Sequence, residues 1–157
     1  MKHSVTVIVA EPRWKAHASL PARMKHAAVR AVERGARSSR GRALTILLTS
    51  DGALRKLNRR FRSRNKATNV LSFSAGPNPE FYLGDVAIAL GVTEREAKAA
   101  KRRLSDHATH LAVHGVLHLM GHDHKRAGDA RRMERLEAAI LAEFGIADPY
   151  ESSRKPA

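Results

Sequence analysis

The sequence predicts an α+β fold, with a small mixed β-sheet of about four strands covered by about five helices. In the first half of the chain, short apolar runs typical of strands alternate with segments of helical spacing, and the second half ends in three successive helical segments. The chain has 157 residues, 43% of them hydrophobic, which is enough for one core. We therefore expect a single domain over residues 1–150 and a disordered tail over residues 151–157.

The first half of the chain is predicted to hold two strands and two helices. β-branched and aliphatic residues mark the strands, helical spacing marks the first helix, and an Asp at an N-cap position marks the second. In chain order these are the strand Ser4–Ala10, the helix from Pro21 to about Ala36, the strand Ala43–Thr49, and a short helix that begins at Asp51 and carries Leu54, Leu57 and Phe61.

The second half is predicted to hold two strands and then three helices. A Gly- and Pro-rich loop separates the strands, a Thr-x-x-Glu pattern indicates a capping box, and Gly121 marks a helix end. In chain order these are the strands Asn69–Phe73 and Val86–Leu90, a helix headed by Thr93 and Glu96, a helix from Ser105 to about Met120, and a helix from about Gly128 to Phe144.

The charge balance favours a polyanionic partner. Lys and Arg number 29 against 15 Asp and Glu, which gives a formal net charge of +14. Such an excess is typical of nucleic-acid binders, although a solvated basic surface explains it almost as well. The chain has no cysteine, so disulfides, thiolate catalysis and Cys-type zinc sites are excluded. No apolar stretch approaches the ~20 residues of a membrane helix, so we expect a cytoplasmic protein that does not bind a membrane.

A histidine cluster in the second half predicts a metal site. His114 and His118 are four residues apart, which puts both imidazoles on one face of a helix. Gly121 can reverse the chain so that His124 supplies a third ligand, and three nitrogens with an open fourth position are typical of catalytic zinc. From the residues alone, His122 remains an alternative to His124, and His110 lies one turn before His114.

The same spacing occurs in metzincin proteases, so the neighbouring residues must decide the reaction. Those enzymes carry a Glu directly after the first His as the general base, and this chain has Gly115 there. A zinc metalloendopeptidase therefore stays only an alternative. A non-enzymatic protein with structural zinc is a second one; the family resemblance described below makes it a ribosome-assembly factor.

A basic segment precedes the third predicted strand. Between Arg55 and Lys66 there are seven basic residues and no acidic one. Such runs are often only solvated surface, but a planar guanidinium beside a zinc site suits phosphodiester hydrolysis. In that chemistry the metal supplies the nucleophile and the guanidinium stabilises the charge that develops on the phosphate.

These features together resemble the YbeY family of bacterial rRNA maturation endoribonucleases. The resemblance covers the chain from about Leu44 to Tyr150, with four motifs in the same order. The residues that carry it are the histidine motif, Leu57-Asn58 with Arg62 and Thr68-Asn69-Val70-Leu71-Ser72-Phe73, then Leu83-Gly84-Asp85-Val86, and finally Met133, Leu136-Glu137, Ile140 and Asp148-Pro149-Tyr150.

The resemblance implies a metal-dependent, single-strand-specific endoribonuclease. Its expected task is maturation of the 3′ end of small-subunit (16S) rRNA and late-stage 70S ribosome quality control. It implies one zinc ion on His114, His118 and His124, which favours His124 over His122, and a catalytic role for Arg62. Expected partners are RNA, the small ribosomal subunit with one of its proteins, and an Era-type GTPase.

Three positions depart from the family's usual pattern. Ala67 and Ser74 stand where the family usually has Pro, and His122 stands where it usually has Tyr. The first two changes are expected to loosen the loops slightly. His122 adds an imidazole beside the metal, and Asp123 is a candidate for orienting one of the histidines.

Overall fold

The computed structural model describes residues 2–35, 40–64, 68–76, 81–123 and 125–151, and over these residues it confirms the α+β prediction. It has four strands and five α-helices in this part of the chain, with a short 3-10 helix at Pro12–Ala16. The strands are β1 (Ser4–Val9), β2 (Ala43–Thr49), β3 (Val70–Ser74) and β4 (Tyr82–Ala89), and the helices are α1 (Leu20–Gly35), α2 (Asp51–Arg62), α3 (Leu90–Ala99), α4 (Leu104–Leu119) and α5 (Ala127–Ala142).

The four strands form one mixed sheet in the order β1-β2-β4-β3. β1 pairs in parallel with β2, and β2 pairs in parallel with β4. β3 runs antiparallel to β4, with Val70 opposite Ile88 and Ser74 opposite Gly84. β3 is therefore an edge strand, which leaves one of its sides open for other parts of the molecule.

Helices cover both faces of the sheet. Side chains alternate between the two faces along each strand, and those of each face pack into a separate apolar cluster with helices. On one face, Ile46, Val86 and Ile88 belong to the main core with residues of α1, α4 and α5. On the other face, a smaller cluster joins Leu54 of α2 to residues of β3 and β4. Its buried members are Leu54, Leu71, Ala87 and Ala89.

α4 is the central helix of the larger layer. Its residues from Ala108 to Val113 are all buried, as are most of those up to Leu119. A helix that is buried on most of its sides needs neighbours around it, and α4 packs against α1, α3, α5, β3 and β4. Polar side chains on such a helix are held in fixed surroundings, which matters for its histidines.

One predicted helix start and one predicted N-cap are wrong, each because a polar side chain binds elsewhere. α3 begins at Leu90, three residues before the predicted capping box, and the buried Thr93 donates to the carbonyl of Ala89 at 2.5 Å. The N-cap of α2 is Ser50, whose hydroxyl accepts from the Ala53 amide at 3.2 Å. The predicted cap, Asp51, instead accepts from the Val92 amide at 3.0 Å and so ties α2 to α3.

The remaining boundaries agree with the prediction to within a few residues, apart from β4, which begins four residues before the predicted strand. From residue 152 onward, the predicted tail lies outside the described residues. Among the helices of the described residues, none is long and apolar enough to cross a membrane.

Candidate active site

α4 presents three histidines along one face, at successive turns. His110, His114 and His118 are each four residues apart, and the rings of His114 and His118 lie 4.6 Å apart between centroids. Their Nε2 atoms face each other at 3.1 Å. Two ligand nitrogens at ~2.0–2.1 Å from a shared tetrahedral zinc lie roughly 3.3 Å from each other. The observed pair therefore fits a common metal ion.

A buried carboxylate on α5 fixes the orientation of His114. Glu137 is 1% exposed, and its Oε1 lies 2.7 Å from His114 Nδ1 and 3.2 Å from His110 Nε2. The Tyr150 hydroxyl donates to the other oxygen at 2.8 Å. Both oxygens of one carboxylate are thus bound, and they connect α4, α5 and the segment that follows α5.

The ionisation of Glu137 determines which nitrogen of His114 carries hydrogen. Burial alone would raise the pKa of the Glu137 carboxyl, but hydrogen bonds and charge from His110 and His114 outweigh it and lower the pKa from 4.5 to about 2. An ionised carboxylate can only accept, so His114 Nδ1 must donate to it. In the neutral ring, Nε2 then has a lone pair directed towards His118, as in metal sites where a carboxylate orients the ligand.

Tyr150 completes this network as a hydrogen-bond donor. Burial, followed by the nearby charge of Glu137, raises the pKa of its hydroxyl, which therefore stays protonated. Arg102 holds the backbone just before it, since its guanidinium donates to the carbonyls of Ala147 and Asp148 at 3.2 and 3.0 Å. Arg102, which is not one of the residues on the histidine face of α4, thus helps to set the position of Tyr150.

A second set of potential ligands overlaps the first. Among the described residues, His110, His114 and Glu137 have ligand atoms within 4.8 Å of one another and could also hold a metal ion. That set would use His114 Nδ1, whereas the pair with His118 uses His114 Nε2. The contacts to Glu137 have hydrogen-bond lengths, and a metal there would displace the hydrogens that the two histidines donate. The geometry therefore favours the Nε2 pair.

The end of α4 confirms the predicted chain reversal at Gly121. Gly121 has φ +91, its amide donates to the His118 carbonyl at 3.0 Å, and the His122 amide donates to the Leu117 carbonyl at 3.0 Å. These two bonds form a Schellman motif, which requires a left-handed residue at the turn. His124 lies outside the described residues, so its role as third ligand stays a prediction.

The two neighbours of Gly121 that were also candidates have other partners. His122 Nε2 lies 3.3 Å from the carbonyl of Gly35, at the end of α1. Asp123 accepts from the Lys125 amide at 3.2 Å, in a local turn. Neither contact involves a histidine of α4, and the carboxylate that orients His114 is Glu137.

Gly115 lies where α4 touches the sheet. A Cβ atom built there would come within 2.6 Å of Val86 Cγ1 and 3.1 Å of Ser72 Oγ. Its carbonyl accepts from the Ser72 hydroxyl at 2.9 Å. A glutamate could not fit at this position, and its side chain would face the sheet. The structure thus gives a steric reason, besides the sequence, why the metzincin base is missing.

A cleft of about 520 Å³ joins the histidines to Arg62. Arg62 is the last residue of α2, and its guanidinium donates to the carbonyl of Ser72 at 2.5 Å, on the open side of β3. The residues that line the cleft are Arg62, Thr68, Asn69, Val70, Leu71, Ser72, Ser74, His114, His118 and Leu119. One cavity therefore holds a guanidinium and a pair of candidate metal ligands.

Comparison with known proteins shows the family of this chain. The model of the family described as Endoribonuclease YbeY matches residues 13–145. The chain belongs to the YbeY endoribonuclease family. An Endoribonuclease YbeY of Bordetella pertussis is 45% identical over 140 residues, which cover 88% of this chain and 87% of that protein. One of Nitrobacter winogradskyi is 41% identical over 152 residues, which cover 92% and 80%.

A solved structure supports the fold of this YbeY chain. The solution structure of a Thermotoga maritima protein superposes with a TM-score of 0.55 and covers 98% of this chain and 99% of its own. Its sequence identity of 17% makes this a likeness of fold alone.

Two of the three departures from the YbeY pattern can be placed in the structure. Ser74 lines the cleft, where its hydroxyl donates to the carbonyl of Gly76 at 2.9 Å and so closes a small local turn. His122 is bound to α1, as described above. Ala67 lies outside the described residues.

Sequence reasoning gave no role to two residues of the site. Glu137 and Tyr150 entered only as part of the YbeY resemblance. A signal for Glu137 was present, because it is a charged residue on the buried stripe of α5 with Met133, Ile140 and Leu141. Charged side chains are rarely buried without a partner, so this position predicts a polar contact, although not which histidine provides it.

Proposed function

We propose that this protein is a zinc-dependent, single-strand-specific endoribonuclease that matures the 3′ end of 16S rRNA and takes part in late-stage 70S ribosome quality control. Membership of the YbeY endoribonuclease family supports hydrolysis of RNA. The observation that carries the proposal is the cleft that Arg62 lines together with His114 and His118, whose Nε2 atoms are paired. The remaining points concern the metal, the substrate contacts and the partners.

We propose that one zinc ion is held by His114, His118 and His124. A bound zinc ion supplies Lewis acidity and makes a water molecule nucleophilic near neutral pH. Glu137 keeps His114 in the tautomer that directs Nε2 into the cleft. The rival set of His110, His114 and Glu137 predicts a different effect of mutation on metal content. His110→Ala should release the metal only if the ion binds His110, and His118→Ala only if it binds His118.

Arg62 is proposed to bind the phosphate that is cleaved. Its guanidinium keeps its charge at any physiological pH and offers several donors in one plane. It is anchored through Ser72, so it is already in place when charge develops on the phosphate oxygens. One such preorganised donor typically lowers a barrier by about 3–4 kcal/mol. The expected effect of Arg62→Ala is therefore a loss of roughly 10²–10³-fold in kcat.

The experiment combines metal analysis with RNase assays of the wild type, His118→Ala and Arg62→Ala. His118→Ala should lose both zinc and cleavage, whereas Arg62→Ala should keep zinc and lose cleavage. His26→Ala, at an exposed position of α1, is the histidine control. Arg59→Ala, one turn before Arg62 on α2, is the arginine control and should retain kcat.

Two outcomes would contradict the proposal. If wild type stripped of metal cleaves RNA as before, or both variants cleave like the wild type, the RNase belongs to a contaminant or to another site. If zinc-loaded wild type binds rRNA without cleaving it, while His114→Ala and removal of the metal each unfold the chain, an assembly factor with structural zinc explains the data better.

The ends of the RNA products distinguish two routes of attack. Attack by water cannot leave a 2′,3′-cyclic phosphate, whereas attack by the 2′-hydroxyl must leave one. Mapping the ends formed from a defined single-stranded RNA therefore decides between them. A cyclic phosphate would exclude direct attack by water.

The proposed cellular setting is the cytoplasm, with the small ribosomal subunit, one of its proteins and an Era-type GTPase as partners. The net charge of +14 supports contact with rRNA. Cells depleted of the protein should accumulate 16S rRNA with an unprocessed 3′ end, and the Arg62→Ala variant should not restore it. Normal 3′ ends in depleted cells would contradict this assignment.

A further inference from the structure

The end of α2 presents an aromatic ring to solvent beside the cleft. Phe61 is 60% exposed, although it lies seven residues after the buried Leu54 on the same side of the helix. Leu54 and Leu57, earlier on this stripe, pack against residues of β3 and β4, whereas Phe61 stays exposed. Burial in the core therefore does not explain why this position holds a large apolar side chain.

The contacts of Phe61 form a compact group of two rings and two guanidinium groups. The ring of Phe73 on β3 lies 5.8 Å away, edge to face at an interplanar angle of 69°. The guanidinium of Arg60 is 5.4 Å from the centroid of Phe61, and that of Arg62 is 5.6 Å from the centroid of Phe73. The half-buried Phe73 packs against Phe61 and so limits where the ring of Phe61 can lie.

Arg62 connects this group to the cleft. Its guanidinium lies over Phe73 and also donates to the carbonyl of Ser72, while the Ser72 hydroxyl points to α4. Side chains alternate along a strand, so Phe73 and Ser72 face opposite sides of the sheet. Phe61 and Phe73 therefore lie next to the cleft, around the open edge of β3, and Arg62 contacts both regions.

We propose that Phe61, supported by Phe73, stacks a base of single-stranded RNA whose neighbouring phosphate lies against Arg62. This inference rests on the proposed function. Exposed aromatic rings and guanidinium planes next to a cationic groove are the surfaces on which unpaired bases stack. Bases within a duplex are already stacked on each other and cannot reach a ring at the sheet edge. Phe61 thereby gives the cleft a preference for single strands without reading a sequence.

The test uses short single-stranded RNAs that carry 2-aminopurine at one position each, mixed with full-length protein in a stopped-flow instrument before cleavage proceeds. Stacking on Phe61 should quench the fluorescence of 2-aminopurine at one position near the cleaved bond. Phe61→Leu should abolish that quenching and weaken binding roughly 5- to 150-fold, the range for one stacked base. Phe61→Tyr should keep both the quenching and the wild-type affinity. Ile8→Ala is the control, because Ile8 is also exposed, at 47%, but lies on β1 at the other edge of the sheet.

An RNA that lacks the base at the quenched position identifies the contact. Wild type should bind this abasic RNA as weakly as Phe61→Leu binds the intact RNA, and the two losses should not add. Additive losses, or unchanged binding and quenching in Phe61→Leu, would overturn the inference and leave Phe61 as a surface for a protein partner. If wild type cleaves RNA in the same experiment, that result leaves the proposed function standing. If wild type stacks the base without cleaving, only the proposed function fails.

Discussion

Gly115 sets the distance between α4 and the sheet. Its missing side chain lets the helix backbone come close to Val86 and accept a hydrogen bond from Ser72. The histidines one residue before and three residues after it are positioned by this contact, because they are fixed to the same helix. A change of one methyl group at this position therefore acts on both the core and the cleft.

Gly115→Ala is expected to lower the free energy of unfolding by about 1–3 kcal/mol, the usual range for overpacking. The new methyl group would lie 2.6 Å from Val86 Cγ1, and a valine has no flexible end that can move away. Gly52→Ala is the matched control, since nothing lies within 4 Å of its Cβ position on α2. Urea denaturation measures both variants, and Val86→Ala combined with Gly115→Ala should recover stability. Equal stability of the two single variants would contradict the tight contact.

Glu137→Gln is expected to weaken metal binding roughly 10- to 100-fold, as is typical when a group that orients a metal ligand is lost. The amide keeps the size of the side chain, but it can present its NH₂ group to His114 and no longer fixes one tautomer. Competition with a chelating dye measures the affinity, and circular dichroism checks the fold. Glu96→Gln is a suitable control, because Glu96 also contacts a histidine, His107 at 2.9 Å, away from the paired nitrogens. If the two variants bind the metal with the same affinity, Glu137 does not orient a metal ligand.

At the scale of elements, α1 and α5 are joined by ion pairs on the surface. Glu143, directly after α5, binds Arg30 at 2.7 Å and Arg34 at 3.3 Å, both on α1. The hydrogen bond from Arg30 is the main reason why the pKa of the Glu143 carboxyl is lowered. Since α5 carries Glu137, this contact helps to hold the helix that orients His114.

Glu143→Gln should make the protein slightly less stable at neutral pH and no less stable in acid. A carboxyl whose pKa is lowered on folding stabilises the folded state above its unfolded pKa, 4.5, and this contribution disappears as the pH falls through the lower folded value. Thermal unfolding of both proteins between pH 7 and pH 3 measures the difference, which should be small because the pair is solvent-exposed. A gap that does not shrink as the pH falls would assign the effect to something other than charge.

The elements with continuous local signals were predictable from the sequence. β2 was predicted with its observed bounds, because Ala43–Thr49 consists only of aliphatic residues and threonines, between Arg42 and Ser50. β4 was predicted too short at its start, since Gly84 and Asp85 have low strand propensity and only pairing with strands on both sides makes this part extended. The start of α3 was misplaced for a similar reason, because Thr93 bonds back along the helix rather than capping it.

The candidate site was predictable only where its residues are close in sequence. The spacing of His114 and His118 on one helix gives their proximity, and Arg62 stands out within a basic segment. Their meeting in one cleft depends on the edge position of β3, which no local pattern encodes. The contact of Glu137 with His114 spans 23 residues and two helices, and it becomes visible only when those helices are packed.

At the scale of the whole molecule, charge and cleft are arranged to act together. The net charge of +14 attracts RNA over long range, and the basic end of α2 lies beside the cleft where cleavage is proposed. Attraction of this kind is independent of sequence and weakens as salt screens it. Binding and chemistry should therefore respond differently to ionic strength.

Binding of single-stranded RNA is expected to weaken steeply with salt, with a slope of about −0.7 in log K against log salt for each phosphate contact. Arg59→Ala should make that slope shallower by about one contact and leave kcat unchanged. Arg95→Ala is a fitting comparison, because that arginine already pairs with Asp51 at 3.1 Å and should not alter the slope. Fluorescence anisotropy across a series of salt concentrations gives the slopes. A salt-independent affinity in wild type would contradict phosphate-based binding.

The network at Tyr150 has a consequence for the order in which the chain is synthesised. His114 and His118 leave the ribosome well before Glu137, and Tyr150 and the backbone that Arg102 holds follow later still. A chain that ends before α5 contains the sheet and α4 but lacks the carboxylate that orients His114, as well as the apolar residues with which α5 completes the core. The network that orients His114 is therefore completed last in synthesis, after the strands of the sheet and α4 have been made.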